Sequence, residues 1–455
     1  MGAAAMGEDS PVLDRAPSPR DWNALISDVV AGRWTDPETG RPADVPFDAI
    51  LLSETLDGRE ADLVSGLDLG RRLAVVADPN TVEAMGRRVA QALRAVATVD
   101  EVILPADAET DEPTIARVRE LTRHADAVIA VGSGSLSDAC KYATFQDGRP
   151  YAVFGTAASM NGYAASTASV TLANGFKASL PAHAPRGIFL DLSVSAAAPP
   201  WLSAAGLGDS LCRSTAQIDW WASHRLLGTR YSATPYALQE DEPEMLRLSP
   251  GLAAGDLRAV GVLQRVLTLT GLGVCFTGVS NHGSMGEHLV SHWIDMFAGS
   301  AHPGTTHGQQ VGVASITMAR LQARILSLDA PPPVRPTVVD EAGMIRRYGS
   351  EIGAQCAAEF RRKALDGPGA DAFNARAAAI WPELRRELMV FALPVETMRT
   401  ALAAAGGPTD AAGMGLPAPV WRDAMKRARE IRNRWSFLDW ADDAGLLDPF
   451  LDEES

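Results

Sequence analysis

Three apolar runs, Leu73–Ala77, Val102–Leu104 and Ala127–Val131, alternate with two stretches of helical spacing, and this alternation narrows the possible folds sharply. Each run has strand length and little polar content, as expected of strands buried on both faces of a parallel sheet. Asp78-Pro79-Asn80-Thr81 supplies turn and cap residues after the first run, and Thr81–Val96 then spaces its apolar residues as a helix does. A second helical stretch follows Pro105 and runs through Thr122. Strand, helix, strand, helix, strand is the arithmetic of a parallel sheet. Gly187-Ile188-Phe189-Leu190-Asp191 reads as a further strand, after which Pro199-Pro200 breaks the chain. Beyond that break, long Ala-, Leu- and Arg-rich segments show helical periodicity and no convincing strand. The expected fold class is α/β plus all-α: an α/β unit over residues 21–199, an all-helical unit over 200–455, and a disordered, Ala- and Pro-rich 1–20. Pro331-Pro332-Pro333 reads as a loop inside the helical unit.

A length of 455 residues exceeds one ordinary core, which agrees with two units. The net charge of −15 disfavours nucleic acid and anionic membranes as partners, and it disfavours a phosphorylated substrate unless local cations offset it. Four cysteines, Cys140, Cys212, Cys275 and Cys356, lie far apart without a CxxC, so a thiolate zinc site and a disulfide framework are not expected and a cytoplasmic setting is. The first ten residues lack a basic region followed by an apolar core, unlike a signal peptide. Met6 stands where a myristoylation motif wants Ser or Thr. No run of about 20 apolar residues escapes interruption by charge or proline, so no membrane insertion is expected.

Val131-Gly132-Ser133-Gly134-Ser135-Leu136-Ser137-Asp138 places glycines directly after a strand and ahead of a helix. Such a turn lets backbone N–H groups face a phosphate at the helix N-terminus, although Ser137 breaks the GxGxxG dinucleotide fingerprint. By itself the motif also fits a plain strand-to-helix turn, with Asp138 suiting the helix dipole. Gly155-Thr156-Ala157-Ala158-Ser159-Met160-Asn161-Gly162 offers small hydroxyl residues to a ribose or nicotinamide, or is simply a polar turn. The histidines say more. Five of the eight fall between positions 282 and 307, and His288 and His292, four apart, share one helix face. With Asp209 in Gly206-Leu207-Gly208-Asp209 and His307 in Thr306-His307-Gly308-Gln309-Gln310, they make a donor set for a borderline divalent cation such as Zn²⁺, Ni²⁺ or Fe²⁺. On spacing alone His282 and His302 compete for the same role.

Taken in order, GSGS with Asp138, GTAASMNGYAA, NGFKASLPAHAP, GLGD, GEHLVSH and HGQQVGV resemble the glycerol-1-phosphate dehydrogenases, within the superfamily of iron-containing alcohol dehydrogenases and dehydroquinate synthase. The stretch from Ala424 to Asp439 is similar to the bacterial branch in particular. The resemblance implies an N-terminal Rossmann-like nucleotide-binding domain, a C-terminal helical domain and an active site in the cleft between them. It implies Asp209, His288 and His307 as metal ligands and His292 as a substrate contact or proton relay. Gly132, Gly134, Ser135, Leu136, Asp138, Thr156 and Ser159 would lie against NAD(H) or NADP(H). Asp78, near the adenosine ribose, would favour a free 2′-hydroxyl and so NAD(H). Asn161 and Lys177 would face the substrate, a small ketone such as dihydroxyacetone phosphate. A homodimer is also implied.

Three positions depart from the family pattern. Asn161 replaces the usual Asp, Ala165 replaces a Ser that contacts cofactor, and Ser280-Asn281-His282 stands where Ser-Arg-Pro is common. They leave room for another small carbonyl substrate, phosphorylated or not. A sugar-phosphate cyclase is the alternative on the same fold, but it typically offers Glu where this chain has Asp209. A degenerate binding homologue is the other alternative, and the intact Asp-His-His set speaks against it.

Overall fold

The computed structural model describes residues 21–454; the stretch 1–20, expected to be disordered, lies outside the described residues. A six-stranded sheet is formed by β1 (Ala49–Ser53), β2 (Arg72–Ala77), β3 (Thr98–Ile103), β4 (Ala127–Gly132), β5 (Tyr151–Gly155) and β8 (Gly187–Asp191). Its spatial order is β1-β8-β5-β4-β2-β3, with every pairing parallel. An antiparallel pair, β6 (Thr167–Thr171) and β7 (Lys177–Pro181), stands apart from it. In β4, β5 and β8 every residue is buried, which is why these runs show no polar alternation in sequence.

Successive residues of those strands feed different cores. Val76, Val128, Ala130, Val153 and Ile188 join a cluster shared with helices beyond residue 200, among them Leu207, Leu211, Leu263 and Leu267. Val75, Ala127, Ile129, Ala152 and Phe189 join a second cluster on the opposite sheet face. Burial on both faces thus leaves only the strand ends to carry chemistry. The chain leaves β2 for β3 on one side and returns to β4 on the other. A crevice opens there between the C-terminal ends of β2 and β4, at the switch point where doubly wound sheets bind ligands.

Two local readings are refined. The helix expected over Thr81–Val96 begins with a capping box on Asp78, passes through a π-helical turn at Val82–Gly86, and continues as α-helix over Arg87–Leu93. The 151–191 segment, where only Gly187–Asp191 reads as a strand from the sequence, contains β5 and the β6–β7 hairpin as well.

Among the described residues, everything from Pro200 onward is helix or connection. One helix there, Leu257–Thr277, is long and apolar enough to cross a membrane by length and composition. Its most apolar window is 89% buried inside this structure, packed among both halves, and Arg265 within it hydrogen-bonds the Trp22 carbonyl oxygen. A further core, built from the helices after residue 200, takes in Phe176 and Ala178 of the hairpin. The hairpin therefore reaches from the α/β part onto the helical part.

Candidate active site

A cavity of about 1770 Å³ runs between the C-terminal strand ends and the helices. At one end lie Asp78, Ser133, Gly134, Ser135, Thr156 and Ser159; at the other lie Asp209, His288, His292 and His307.

The histidine end is brought together by glycine. Asp209 sits on helix Pro200–Leu227, and His307 opens helix His307–Leu326. A Cβ at Gly208 would come within 2.2 Å of the Gly308 carbonyl oxygen, and one at Gly308 within 2.1 Å of the Ala205 carbonyl oxygen. Only hydrogen at these positions lets the two backbones touch, and the contact places the residues next to them side by side. Gly206 does the same toward the α/β half, since its Cβ would lie 2.0 Å from the Ala158 carbonyl oxygen. That approach sets the Asn161 N–H to donate to Asp209 Oδ2 at 3.2 Å. Helix Gly286–Phe297 supplies His288. One ligand atom each from Asp209, His288 and His307 then falls within 4.8 Å of the others.

The hydrogen bonds around this trio fix which ring nitrogens face inward. Gln310 Nε2 donates to Asp295 Oδ1 at 3.0 Å, so its Oε1 is the acceptor for the Ser291 hydroxyl at 2.7 Å. The Ser291 oxygen must then accept from His307 Nδ1–H at 2.8 Å, which leaves the His307 Nε2 lone pair for the cleft. His288 Nδ1 lies 3.0 Å from Glu287 Oε1, and His288 Nε2 lies 3.4 Å from Asp209 Oδ1. Two imidazole nitrogens and one carboxylate, oriented by such outer partners, fit a borderline divalent cation with positions left open. A second cluster, Cys212, Glu287 and His288, has the same compactness. Burial holds its thiol far above the ordinary range, and the Glu287 oxygens are engaged by the Met285 N–H, His288 and Thr215. It is the poorer donor set.

Without a cation, burial opposes the charge on Asp209, but the His288 hydrogen bond, the His288 and His307 charges and the Asn161 N–H together outweigh it and lower the carboxyl pKa. Burial likewise works against protonated His288, yet Asp209 and Glu287 raise it to about 9. His307 is pushed down to about 4 by burial and then by His288. His292 is driven well below its usual value by burial and by the positive groups around it. It lines the cleft without belonging to the compact trio, and among the described residues it has no hydrogen-bond partner.

The two competing histidines are otherwise employed. His282 Nε2 is bound to the Thr270 carbonyl oxygen at 2.9 Å. His302 accepts from the Gly304 N–H at Nδ1 and contacts Asp295 at Nε2. Lys177 lines the cleft and is ion-paired with Asp295.

At the end of the cleft beyond β4, Ser133 precedes helix Gly134–Asp147, whose first N–H groups open on the crevice. Gly134, Ser135, Leu136, Asp138, Thr156 and Ser159 line the cleft, and Gly132 does not. Gly132 lies within β4, where a Cβ would press on Leu136 at 3.0 Å, so its smallness serves strand–helix packing. Both Asp138 oxygens are engaged, by Lys141 Nζ at 2.8 Å and the Ser169 N–H at 3.0 Å. Lys141, fully buried, also donates to the Gly162 and Thr167 carbonyl oxygens and ties the helix to the loop and hairpin around the cleft. Asp78 lines the crevice while its Oδ1 caps the following turn through the Asn80 and Thr81 N–H groups at 2.8 Å.

Glu287, Ser291, Gln310, Asp295 and Lys141 were not singled out in the sequence. Ser291 and Gln310 each stand three residues after a histidine of the trio, a helical offset that could have found them. Lys141 likewise stands three residues after Asp138, its ion-pair partner, whereas Asp295 is paired with Lys177 through the tertiary fold.

Comparison with known proteins agrees with this architecture. The iron-containing alcohol dehydrogenase family matches residues 52–199. A glycerol-1-phosphate dehydrogenase [NAD(P)+] of Bacillus velezensis is 33% identical over 276 residues, 58% of this chain and 70% of that protein. One from Thermococcus kodakarensis is 32% identical over 275 residues, 60% of this chain and 77% of that protein. Among solved structures, the NADH-dependent butanol dehydrogenase A of Thermotoga maritima superposes with a TM-score of 0.60 at 12% identity, covering 90% of this chain and 98% of that one. Glycerol dehydrogenase of Schizosaccharomyces pombe gives 0.58 at 16% identity, covering 90% and 92%. At such identities the structural likeness is one of fold.

Proposed function

Because the chain belongs to the family of the glycerol-1-phosphate dehydrogenases, we propose that it is a metal-dependent, NAD(P)H-linked oxidoreductase that reduces a small ketone, dihydroxyacetone phosphate before others. The observation that carries this reading is the convergence of Asp209, His288 and His307 within 4.8 Å at one end of a cleft whose other end is the crevice after β2 and β4.

In this reading Asp209 Oδ1, His288 Nε2 and His307 Nε2 hold a divalent cation, Zn²⁺, Ni²⁺ or Fe²⁺. When bound, such an ion supplies Lewis-acid polarisation of a carbonyl oxygen. The hydride belongs to the nicotinamide, and the protein contributes position and electrostatics. The N-terminus of helix Gly134–Asp147, whose first N–H groups no side chain caps, would hold the pyrophosphate. Thr156 and Ser159 flank the cofactor. The Asp78 carboxylate at the end of β2 favours an unmodified 2′-hydroxyl and hence NADH. Gly206 and Gly271 clamp the loop ending at Asn161 against the helices, which keeps the two ends of the cleft in register. His292 is held neutral, so in this reading it orients a water that gives its proton to the oxygen of the reduced carbon, and the hydroxide left behind is neutralised from bulk solvent.

The test is to load the purified protein with Ni²⁺ or Zn²⁺, add NADH and a panel of small ketones, and follow nicotinamide absorbance. Oxidation with dihydroxyacetone phosphate that stops on chelation is expected. A metal-loaded, NADH-binding protein that oxidises nothing in the panel overturns the reading.

A further inference from the structure

Resting on that reading, which seats the substrate beside His292, we infer that Arg432 and Arg434 form an anion subsite of the cleft that receives the phosphoryl group of the substrate. The C-terminal segment around Ile431–Trp435 returns to the cleft, and both arginines line it together with His292, Lys177 and the Asp209 set. Arg434 spans the loop that leads into the His288 helix. Its NH1 donates to the Ser284 hydroxyl at 2.8 Å and its NH2 to the Ser280 hydroxyl at 2.9 Å. Arg432 donates to the Lys177 carbonyl oxygen at 2.6 Å, and its guanidinium lies 5.4 Å over the Phe176 ring. Both guanidinium groups are thus held in place by neutral partners.

What they lack is a carboxylate within ion-pair distance: Glu359 acts on Arg432 and Glu287 on Arg434 only from farther off. Neighbouring cations are all compensated: Arg429 by Asp439, Asp442 and Asp443, Lys363 by Asp439, Arg362 by Glu359, and Lys177 by Asp295. Among the described residues Arg432 and Arg434 are in no ion pair, in a chain with 56 acidic residues against 41 basic ones. Two largely buried cations without a counter-ion are costly, and like charges side by side raise that cost. Burial and the neighbouring Arg432 bring Arg434 down to about 10, the direction expected where an anion is missing from its surroundings. Arginine is suited to phosphoryl oxygens because its planar fork donates two parallel hydrogen bonds. The Ser280-Asn281-His282 tripeptide beneath offers no cation while His282 is neutral, so the positive charge at this wall comes from the far end of the sequence. The subsite also answers the global field: a −15 protein repels a phosphorylated ketone at long range, and a local cationic wall offsets this at contact.

Two anions enter this cleft in the proposed reaction, the substrate phosphate and the cofactor pyrophosphate, and kinetics separates them. In the metal-loaded enzyme, Arg434→Gln and Arg432→Gln should each raise KM for dihydroxyacetone phosphate roughly ten- to hundredfold, the range for losing a hydrogen bond to a charged group. KM for NADH and the constants for unphosphorylated dihydroxyacetone should stay within about twofold, since neither contact involves the arginines. Arg434→Lys, which keeps the charge without the fork, should recover part of the loss. Calorimetry with inorganic phosphate on the metal-loaded, cofactor-free protein should show saturable binding that the Gln variants weaken. Equal losses with both ketones, a rise confined to NADH, or no saturable phosphate binding by the wild type would each overturn the subsite. If the wild type reduces neither ketone, the proposed reaction fails while the calorimetric result still decides the subsite.

Discussion

Gly208→Ala tests whether helix contact, rather than ligand identity alone, builds the metal end of the cleft. The added methyl would stand 2.2 Å from the Gly308 carbonyl oxygen and 3.2 Å from Gly312 Cα. The oxygen contact can be relieved only if helices Pro200–Leu227 and His307–Leu326 part or slide by about 1 Å, because both partners are backbone and no side chain can turn aside. Overpacking of this kind costs about 1–3 kcal/mol. Asp209 follows the glycine on one helix and His307 precedes Gly308 on the other, so the same displacement separates two of the proposed ligands. Metal sites tolerate about 0.2 Å, and a shift several times larger should cost roughly tenfold or more in affinity. Urea unfolding of the metal-free protein and a Zn²⁺ competition titration read the two effects separately. Gly367→Ala is the control, as nothing lies within 4 Å of its added methyl. An unchanged urea midpoint together with unchanged metal affinity in Gly208→Ala would refute the reasoning.

Two further outcomes follow from the hydrogen bonds. Gln310→Leu removes the acceptor for Ser291 and a donor to Asp295, which frees the His307 ring to turn; metal affinity should fall about 10- to 100-fold, as for other outer-shell partners, and a value within error of wild type would show the relay is idle. His282 is buried and titrates near 4 in the folded protein, because burial disfavours its charge, against about 6.5 when unfolded. Between those values the unfolded chain binds the extra proton, so stability rises with pH across the window and falls on acidification. His282→Gln should flatten that slope in denaturation measured from pH 4 to 6.5, and an unaltered slope would remove His282 from the acid response.

The sheet was legible in β2, β4 and β8, where burial on both faces produced uninterrupted apolar runs, whereas β3 was read as buried on both faces but is a largely exposed edge, and β5, buried throughout, was not read. β1 was not read, because half-buried positions alternate along Ala49–Ser53 and its only sheet partner, β8, is well over a hundred residues away. The β6–β7 hairpin is Ser- and Thr-rich and packs against elements far off in sequence, so no local pattern marks it. For the site, the histidine offset and the flanking glycines pointed to a donor set, while spacing could not choose among five histidines. The choice among them is tertiary: His282 is tied to Thr270 and His302 to Asp295 and Gly304. Arg432 and Arg434 escaped notice for a similar reason, since unpaired charge is visible only once every neighbouring carboxylate has found its own partner.

The same geometry explains why the segment from Thr156 to Asn161 should resist change more than its small, polar composition suggests. Its first residues line the nucleotide end of the cleft and its last donates an N–H to Asp209 at the metal end. Gly206 and Gly271 press on it from the helical side, where added methyls would lie 2.0 Å from the Ala158 oxygen and 2.3 Å from the Asn161 oxygen. Tyr163 holds it from the sheet side through bonds to the Gly132 and Ala157 carbonyl oxygens at 3.1 and 3.2 Å. In the proposed reaction a hydride could pass only with the reacting atoms about 3–3.5 Å apart, and a loop gripped at both ends is what would fix such a gap between a cofactor at one end of the cleft and a cation at the other. On this view the Asp-to-Asn departure at position 161 leaves the spacing intact, because the bond to Asp209 comes from the backbone. What the departure alters is a side chain that lines the cleft.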